Sequence, residues 1–212
     1  MQKLKNIVVG FFVSFIGSIP LGYLNVVGFE VYRKFGLIET IYYLIGVISV
    51  ELVVIYLTLL FANQLLQSKK LLQYIEFFSI VFMFIIAYVF YASASAESNQ
   101  LEIMDDLFSN PLFLVGLLLS CFNFIQIPFW LGWNLFLLNN NHIEISNARK
   151  YFYILGTLLG TFFGMLTLIL SLDFVVTKTD FFANYLMKII IPSVFVILGV
   201  FQAFKFHRKY FR

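Results

Sequence analysis

Six long apolar runs, at 7–29, 40–62, 71–91, 111–138, 151–172 and 185–206, alternate with short polar joints along the chain. Each matches the roughly 20 apolar residues that carry a helix across about 30 Å of hydrocarbon. The runs are apolar at successive positions rather than at every other one, which fits helices and not the alternating strands of a membrane barrel. The pattern therefore predicts an all-α integral membrane protein of about six transmembrane helices. Local start signals agree. Ser68 precedes the third run, Asn110 and Pro111 give the fourth an N-cap followed by proline at the first helical position, and Ser146 with Asn147 precedes the fifth. Lys3 and Lys5 ahead of the first run resemble a secretory leader, but the run is too long and ends in no small-residue cleavage site, so it reads as a span.

The polar exceptions inside the runs repeat. Pro20-Leu21-Gly22-Tyr23-Leu24-Asn25 lies in the first run and Pro128-Phe129-Trp130-Leu131-Gly132-Trp133-Asn134 in the fourth. Each is a proline in a hydrophobic helix with an asparagine a turn or two beyond, and each leads to a glycine-bearing helix: Gly46 in the second run, Gly156, Gly160 and Gly164 in the fifth. Three spans per repeat is an odd number, so the second half enters the membrane upside down, the arrangement that points to a secondary transporter and its binding site. The expected organisation is one membrane domain over 1–212, with repeat one at about 7–91, an acidic external loop at about 92–110, repeat two at about 111–206 and a basic tail at 207–212.

Composition sharpens this picture. The 212 residues are 61% hydrophobic, 20% aromatic and 12% charged, against roughly 45 to 50% apolar and 25% charged in soluble domains. The net charge of +3 gathers at run ends, which argues for membrane orientation and against nucleic acid. Lys3, Lys5, Lys69, Lys70, Arg149, Lys150 and the basic residues after 204 fall on one side, and only Arg33, Lys34, Lys178 and Lys188 on the other. Both termini are expected to be cytoplasmic. Cys121, the single cysteine, allows no internal disulfide and no thiolate metal cluster, and is expected to be an apolar filler in a helix. His142 and His207 lie in polar flanks, so no metal or cofactor is expected.

Proline lacks an N–H and pushes away the carbonyl four residues back, so Pro20 is expected to free Ile16 and Pro128 to free Phe124. Hydrocarbon cannot satisfy those groups, and each orphan costs several kcal/mol. Gly22 eases the bend, while Asn25, Asn123, Gln126 and Asn134 bring polar side chains to the same two levels. A packed kink would serve one proline; the matched pair favours a site. Trp133, beside Trp130, could stack on a substrate or belong to an interfacial belt. Glu51 stands near the centre of the second run, where a charge costs about 2.5 kcal/mol or more. It reads either as a carboxyl that takes a proton or a cationic group, or as a protonated acid bonded between helices. Thr40, Leu44 and Thr58 share its stripe. Glu76, within reach of Lys69 and Lys70, and Lys188 lie near run ends and can snorkel. Small residues at Gly10, Ser14, Ser18 and Gly22, and at Gly156, Gly160 and Gly164, are expected to be close-packing faces.

These residues resemble the LysE/RhtB type of lysine and threonine exporters. Ile19-Pro20-Leu21-Gly22 is similar to the proline-glycine-proline motif of that family's first helix, Arg33-Lys34-Phe35-Gly36 to its basic glycine turn, and Gly46 with Glu51 to its glycine and acidic pair. Asn123-Phe124-Ile125 stands at the family's Asn-Pro-Lys segment without the proline and lysine. The resemblance implies export of amino acids or related small polar metabolites in exchange for protons, from a prokaryotic inner membrane, with substrate, protons and lipid as partners and room for a homo-oligomer. The site would comprise Pro20, Gly22, Asn25, Glu51, Asn123, Gln126, Pro128, Trp133 and Asn134. Hydrolytic and nucleotide motifs are missing, so an enzyme is not expected. The competing expectation is a membrane scaffold or assembly factor that moves nothing.

Overall fold

A computed structural model describes residues 2–19, 22–67, 69–95, 110–146, 148–177, 189 and 191–211. These form eight α-helices: α1 Gln2–Ser18, α2 Tyr23–Phe35, α3 Leu37–Gln67, α4 Lys69–Ser95, α5 Leu112–Cys121, α6 Gln126–Asn139, α7 Arg149–Thr177 and α8 Ile191–Tyr210. The stretches Leu37–Phe61 and Arg149–Phe174 are long and apolar enough to cross a membrane. The first and fourth runs are not single rods. α1 and α2 meet at 80°, and α5 and α6 at 73°, and each bent pair counts as one further span if it crosses as a unit. Large apolar side chains such as Phe12, Ile16, Leu52 and Phe163 point outward, a surface that hydrocarbon accepts.

The basic turn expected at Arg33 to Gly36 is present. Gly36 ends α2 at φ 86°, a left-handed conformation that glycine adopts without a Cβ clash, and its N–H bonds the Tyr32 carbonyl at 2.9 Å. α3 starts at the next residue, with Thr40 Oγ1 donating to Gly36 O at 2.8 Å. At the other end of the chain's first half, Ser68 and Pro20 lie outside the described residues, as do Asn147, Lys188 and 96–109 of the acidic joint. The expected Asn110 cap is displaced by one residue: Pro111 is the N-cap of α5, with no side-chain cap bond.

Glycines decide which helices approach closely. α1 packs on α7, α3 on α5 and α4 on α8. A Cβ on Gly156, Gly160 or Gly164 would strike the backbone of Ile7, Phe11 or Phe15, and one on Gly10 would lie 2.6 Å from Tyr153 O. Apart from Gly22, which lies past the break as the N-cap of α2, the two small-residue stripes read from the sequence are thus halves of one seam. A second seam joins α3 to α5, where Gly46 faces Phe113 O and Gly116 faces Tyr43 O. α2 lies against α3 and α7, and α6 against α3. Two apolar cores result. One gathers Val26, Phe29, Tyr43, Val47, Val115 and Ile169, the other Ile55, Leu59, Trp130, Leu137, Tyr153 and Ile154. Along α3, Glu51 falls between them.

Polar clamps hold the periphery. Asn6, fully buried, donates through Nδ2 to Glu144 O at 2.7 Å and Arg149 O at 3.0 Å and accepts from Glu144 N at 3.3 Å. It ties α1 to the joint between α6 and α7. The sequence offers Lys69 and Lys70 as partners within reach of Glu76. Instead Glu76 accepts from Lys209 Nζ at 2.5 Å, because packing of α8 on α4 brings the tail to it. Burial pulls the Lys209 ammonium down, but the bond to Glu76 and contact with Tyr210 more than offset this and leave it above the ordinary lysine value.

Candidate functional site

Each bent pair mends its own break with an amide side chain from the start of its second helix. Asn25 Nδ2 donates to Ser18 O at 3.0 Å, and Gln126 Nε2 donates to Ser120 O at 3.0 Å. These carbonyls end α1 and α5 and have lost their helical donors. Gly22, extended at φ −103° and ψ 161°, admits the chain to α2. The breaks also touch each other: Tyr23 Oη, at the first residue of α2, donates to Leu119 O near the end of α5 at 2.7 Å. Tyr43 Oη donates to Leu24 O at 2.9 Å and fixes α2 on α3.

The second break differs from expectation in position and cause. The helix opens at Phe122 to Ile125, and Pro128 lies inside the first turn of α6, where a missing N–H leaves nothing unpaired. The Phe124 carbonyl is not freed; it accepts the Ile127 N–H at 3.2 Å. Asn123 completes the turn, its N–H bonding Ser120 O and its carbonyl taking the Gln126 N–H. The carbonyl that Pro128 is expected to free is therefore paired within the turn.

Glu51 is 9% exposed and is met by α6 and α7. Trp130 Nε1 of α6 donates to its Oε1 at 3.0 Å. The Thr161 hydroxyl of α7 lies beside the carboxyl and shares a hydrogen bond with Ser14 Oγ of α1. Oε2 is buried and makes no hydrogen bond among the described residues. Farther along α3, Asn134 is fully buried and bridges two helices: Nδ2 donates to Thr58 Oγ1 at 3.0 Å and Oδ1 accepts from Tyr153 Oη at 2.8 Å.

The residues singled out by sequence thus fall into groups. Gly22, Asn25, Asn123 and Gln126 build the two breaks; Glu51 and Asn134 belong to buried networks; Pro20 lies outside the described residues. Trp133 does not face the site. It is 36% exposed and lines an outer groove of about 320 Å³ with Phe129, Gly132 and Phe136, and Trp130 takes the inward place. A larger groove of about 580 Å³ lies between α4 and α8, lined by residues including Phe84, Tyr88, Pro192 and Val196. Neither groove reaches Glu51, so the carboxyl is closed off from both. Cys121, expected as filler, is exposed at the end of α5. Among the described residues no cluster of His, Cys, Asp and Glu fits a metal.

Sequence reasoning missed Tyr23, Ser14 as a polar contact, Tyr153 and Thr161. Tyr23 and Trp130 stood inside the quoted motifs, whereas Thr161 carried no signal, since threonine is ordinary in an apolar helix. No protein-family model, curated protein or solved structure matches this chain.

Proposed function

We propose that this protein is a secondary transporter that exports amino acids or related small polar metabolites across a cytoplasmic membrane in exchange for protons, as its resemblance to the LysE/RhtB exporters implies. In this reading six spans cross the bilayer, α4 and α8 being the third and sixth, with both termini cytoplasmic and the halves inverted. The observation that carries it is Glu51, a buried carboxyl with one oxygen that makes no hydrogen bond among the described residues, beside two bent helices whose breaks are joined through Tyr23 and Leu119. A lone carboxyl is expensive in hydrocarbon and marks ion pathways in membrane helices. The driving force suffices: one charge crossing 100 mV supplies about 2.3 kcal/mol, a gradient of roughly fifty-fold.

In proteoliposomes with an imposed pH gradient, Glu51→Gln abolishes proton-driven amino-acid efflux while the purified variant elutes and melts as the parent does. Unchanged proton-driven efflux in that variant refutes the assignment. The grooves at α6 and between α4 and α8, both away from Glu51, favour a second reading, a non-transporting scaffold. That reading requires no flux of any amino acid in the parent protein.

A further inference from the structure

The two seams correspond residue by residue. One fixed step along the chain carries Ile7 to Phe113, Gly10 to Gly116 and Ser14 to Ser120; another carries Tyr43 to Tyr153, Gly46 to Gly156 and Glu51 to Thr161. The contacts follow the same exchange. Gly46 faces Phe113 O as Gly156 faces Ile7 O, and Gly116 faces Tyr43 O as Gly10 faces Tyr153 O. Tyr43 Oη bonds α2 of its own half, and Tyr153 Oη bonds α6 of its own half. Glu51 and Thr161 are therefore equivalent positions, and they meet. The halves cross at a point where one supplies a carboxyl and the other a hydroxyl.

We infer that this crossing point, formed by Glu51, Thr161 and Ser14, is a binding site for a single primary ammonium group; the inference rests on the transport reading and specifies which end of the substrate is held there. Trp130 fixes Oε1 and leaves Oε2 buried, without a hydrogen bond among the described residues. The Thr161 hydroxyl beside the carboxyl and the Ser14 hydroxyl bonded to it retain lone pairs. An alkylammonium has three N–H donors and no acceptor, so Oε2, Thr161 Oγ1 and Ser14 Oγ supply one acceptor for each. Its charge neutralises the carboxylate within the membrane. Every other charged side chain of the eight helices lies within about two turns of a helix end, and α5 and α6 carry none. Calcium and magnesium take about six oxygens or more, beyond the four that these three side chains carry.

Dicyclohexylcarbodiimide, whose C=N takes up the O–H of a protonated membrane carboxyl to give an O-acylisourea that rearranges by acyl migration to a stable N-acylurea, reads the site without flux. The full chain in lipid nanodiscs is labelled and modification at Glu51 followed by peptide mass. Ethylammonium is expected to slow labelling at Glu51, whereas sodium and tetramethylammonium at equal ionic strength do not, because neither offers an N–H. Thr161→Val weakens the protection about tenfold through loss of one hydrogen bond to a charged group, and Thr161→Ser retains it. Equal protection by sodium or tetramethylammonium, none by ethylammonium, or a Glu51 that never labels overturns the site. Protection without amino-acid flux leaves the site standing and removes the transport reading; flux without protection does the reverse.

Discussion

Replacing Gly156 by alanine tests whether the α1–α7 seam is set by backbone contact. The added Cβ falls 2.7 Å from Ile7 Cα and 2.8 Å from its carbonyl carbon, with the carbonyl oxygen nearer still, where carbon atoms rest comfortably at about 3.5 to 4.0 Å. No side chain can rotate away to relieve this, so α1 must retreat by about 1 Å and loosen its other contacts with α7. Overpacking of this kind costs about 1 to 3 kcal/mol. For a domain of this length each kcal/mol is worth about 2 to 4 °C, giving an expected fall in Tm of about 2 to 12 °C. Gly132→Ala is the control, since nothing lies within 4 Å of its Cβ. There alanine's helix preference, up to about 1 kcal/mol, leaves Tm unchanged or higher. Melting would be followed in one detergent by tryptophan fluorescence and by size-exclusion after heating. Equal shifts in the two variants would refute the seam as the determinant of that helix pair.

Further outcomes concern the polar clamps. Asn134→Leu removes the acceptor of Tyr153 Oη, while Thr58 keeps its own bond to Val54 O; the expected loss is about 1 to 2 kcal/mol, and adding Tyr153→Phe recovers most of it because no buried donor is then orphaned. Glu76→Gln removes the ion pair between α4 and α8. Because Lys209 is raised in the folded protein, the stability this pair contributes is fully present below the ordinary lysine value near 10.4 and is lost as pH rises through the raised one. The Tm difference between parent and Glu76→Gln is therefore constant around neutral pH and closes in strong alkali, and a difference that persists there would contradict the pairing. Asn6→Ala frees Glu144 O and Arg149 O to exchange their bonds for water, and is read as faster hydrogen exchange over 143–149 with α3 unaffected.

Much of the helical content was legible because apolar runs and glycine spacing report local and pairwise packing directly. Gly10, Gly156 and Gly160 were identified as close-packing residues, and they form that contact. The bends were foreseen in the right runs and only partly for the right reason. Pro128 marks the α5–α6 break without making it: proline is compatible with a helix start, so the opening falls before it, at Phe122 to Ile125. Side-chain direction was the least accessible quantity. Trp130 and Trp133 lie almost one turn apart, and only the packing of α6 on α3 decides that Trp130 faces Glu51 and Trp133 faces out. Glu76 found Lys209 rather than a neighbour on its own helix because the partner is supplied by a helix more than a hundred residues away.

The Asn6 clamp joins residues separated by 138 positions. A ribosome adding about 5 to 20 residues each second finishes α1 roughly 6 to 25 seconds before the segment that receives it exists. During that interval the first helix, with its buried amide and its glycine face, has no mate within the chain. Biogenesis of this protein therefore includes a waiting stage in which the insertion machinery or the lipid itself must shelter the N-terminal segment, and substitutions in the seam would lower yield in cells more than they lower the melting point of what is recovered.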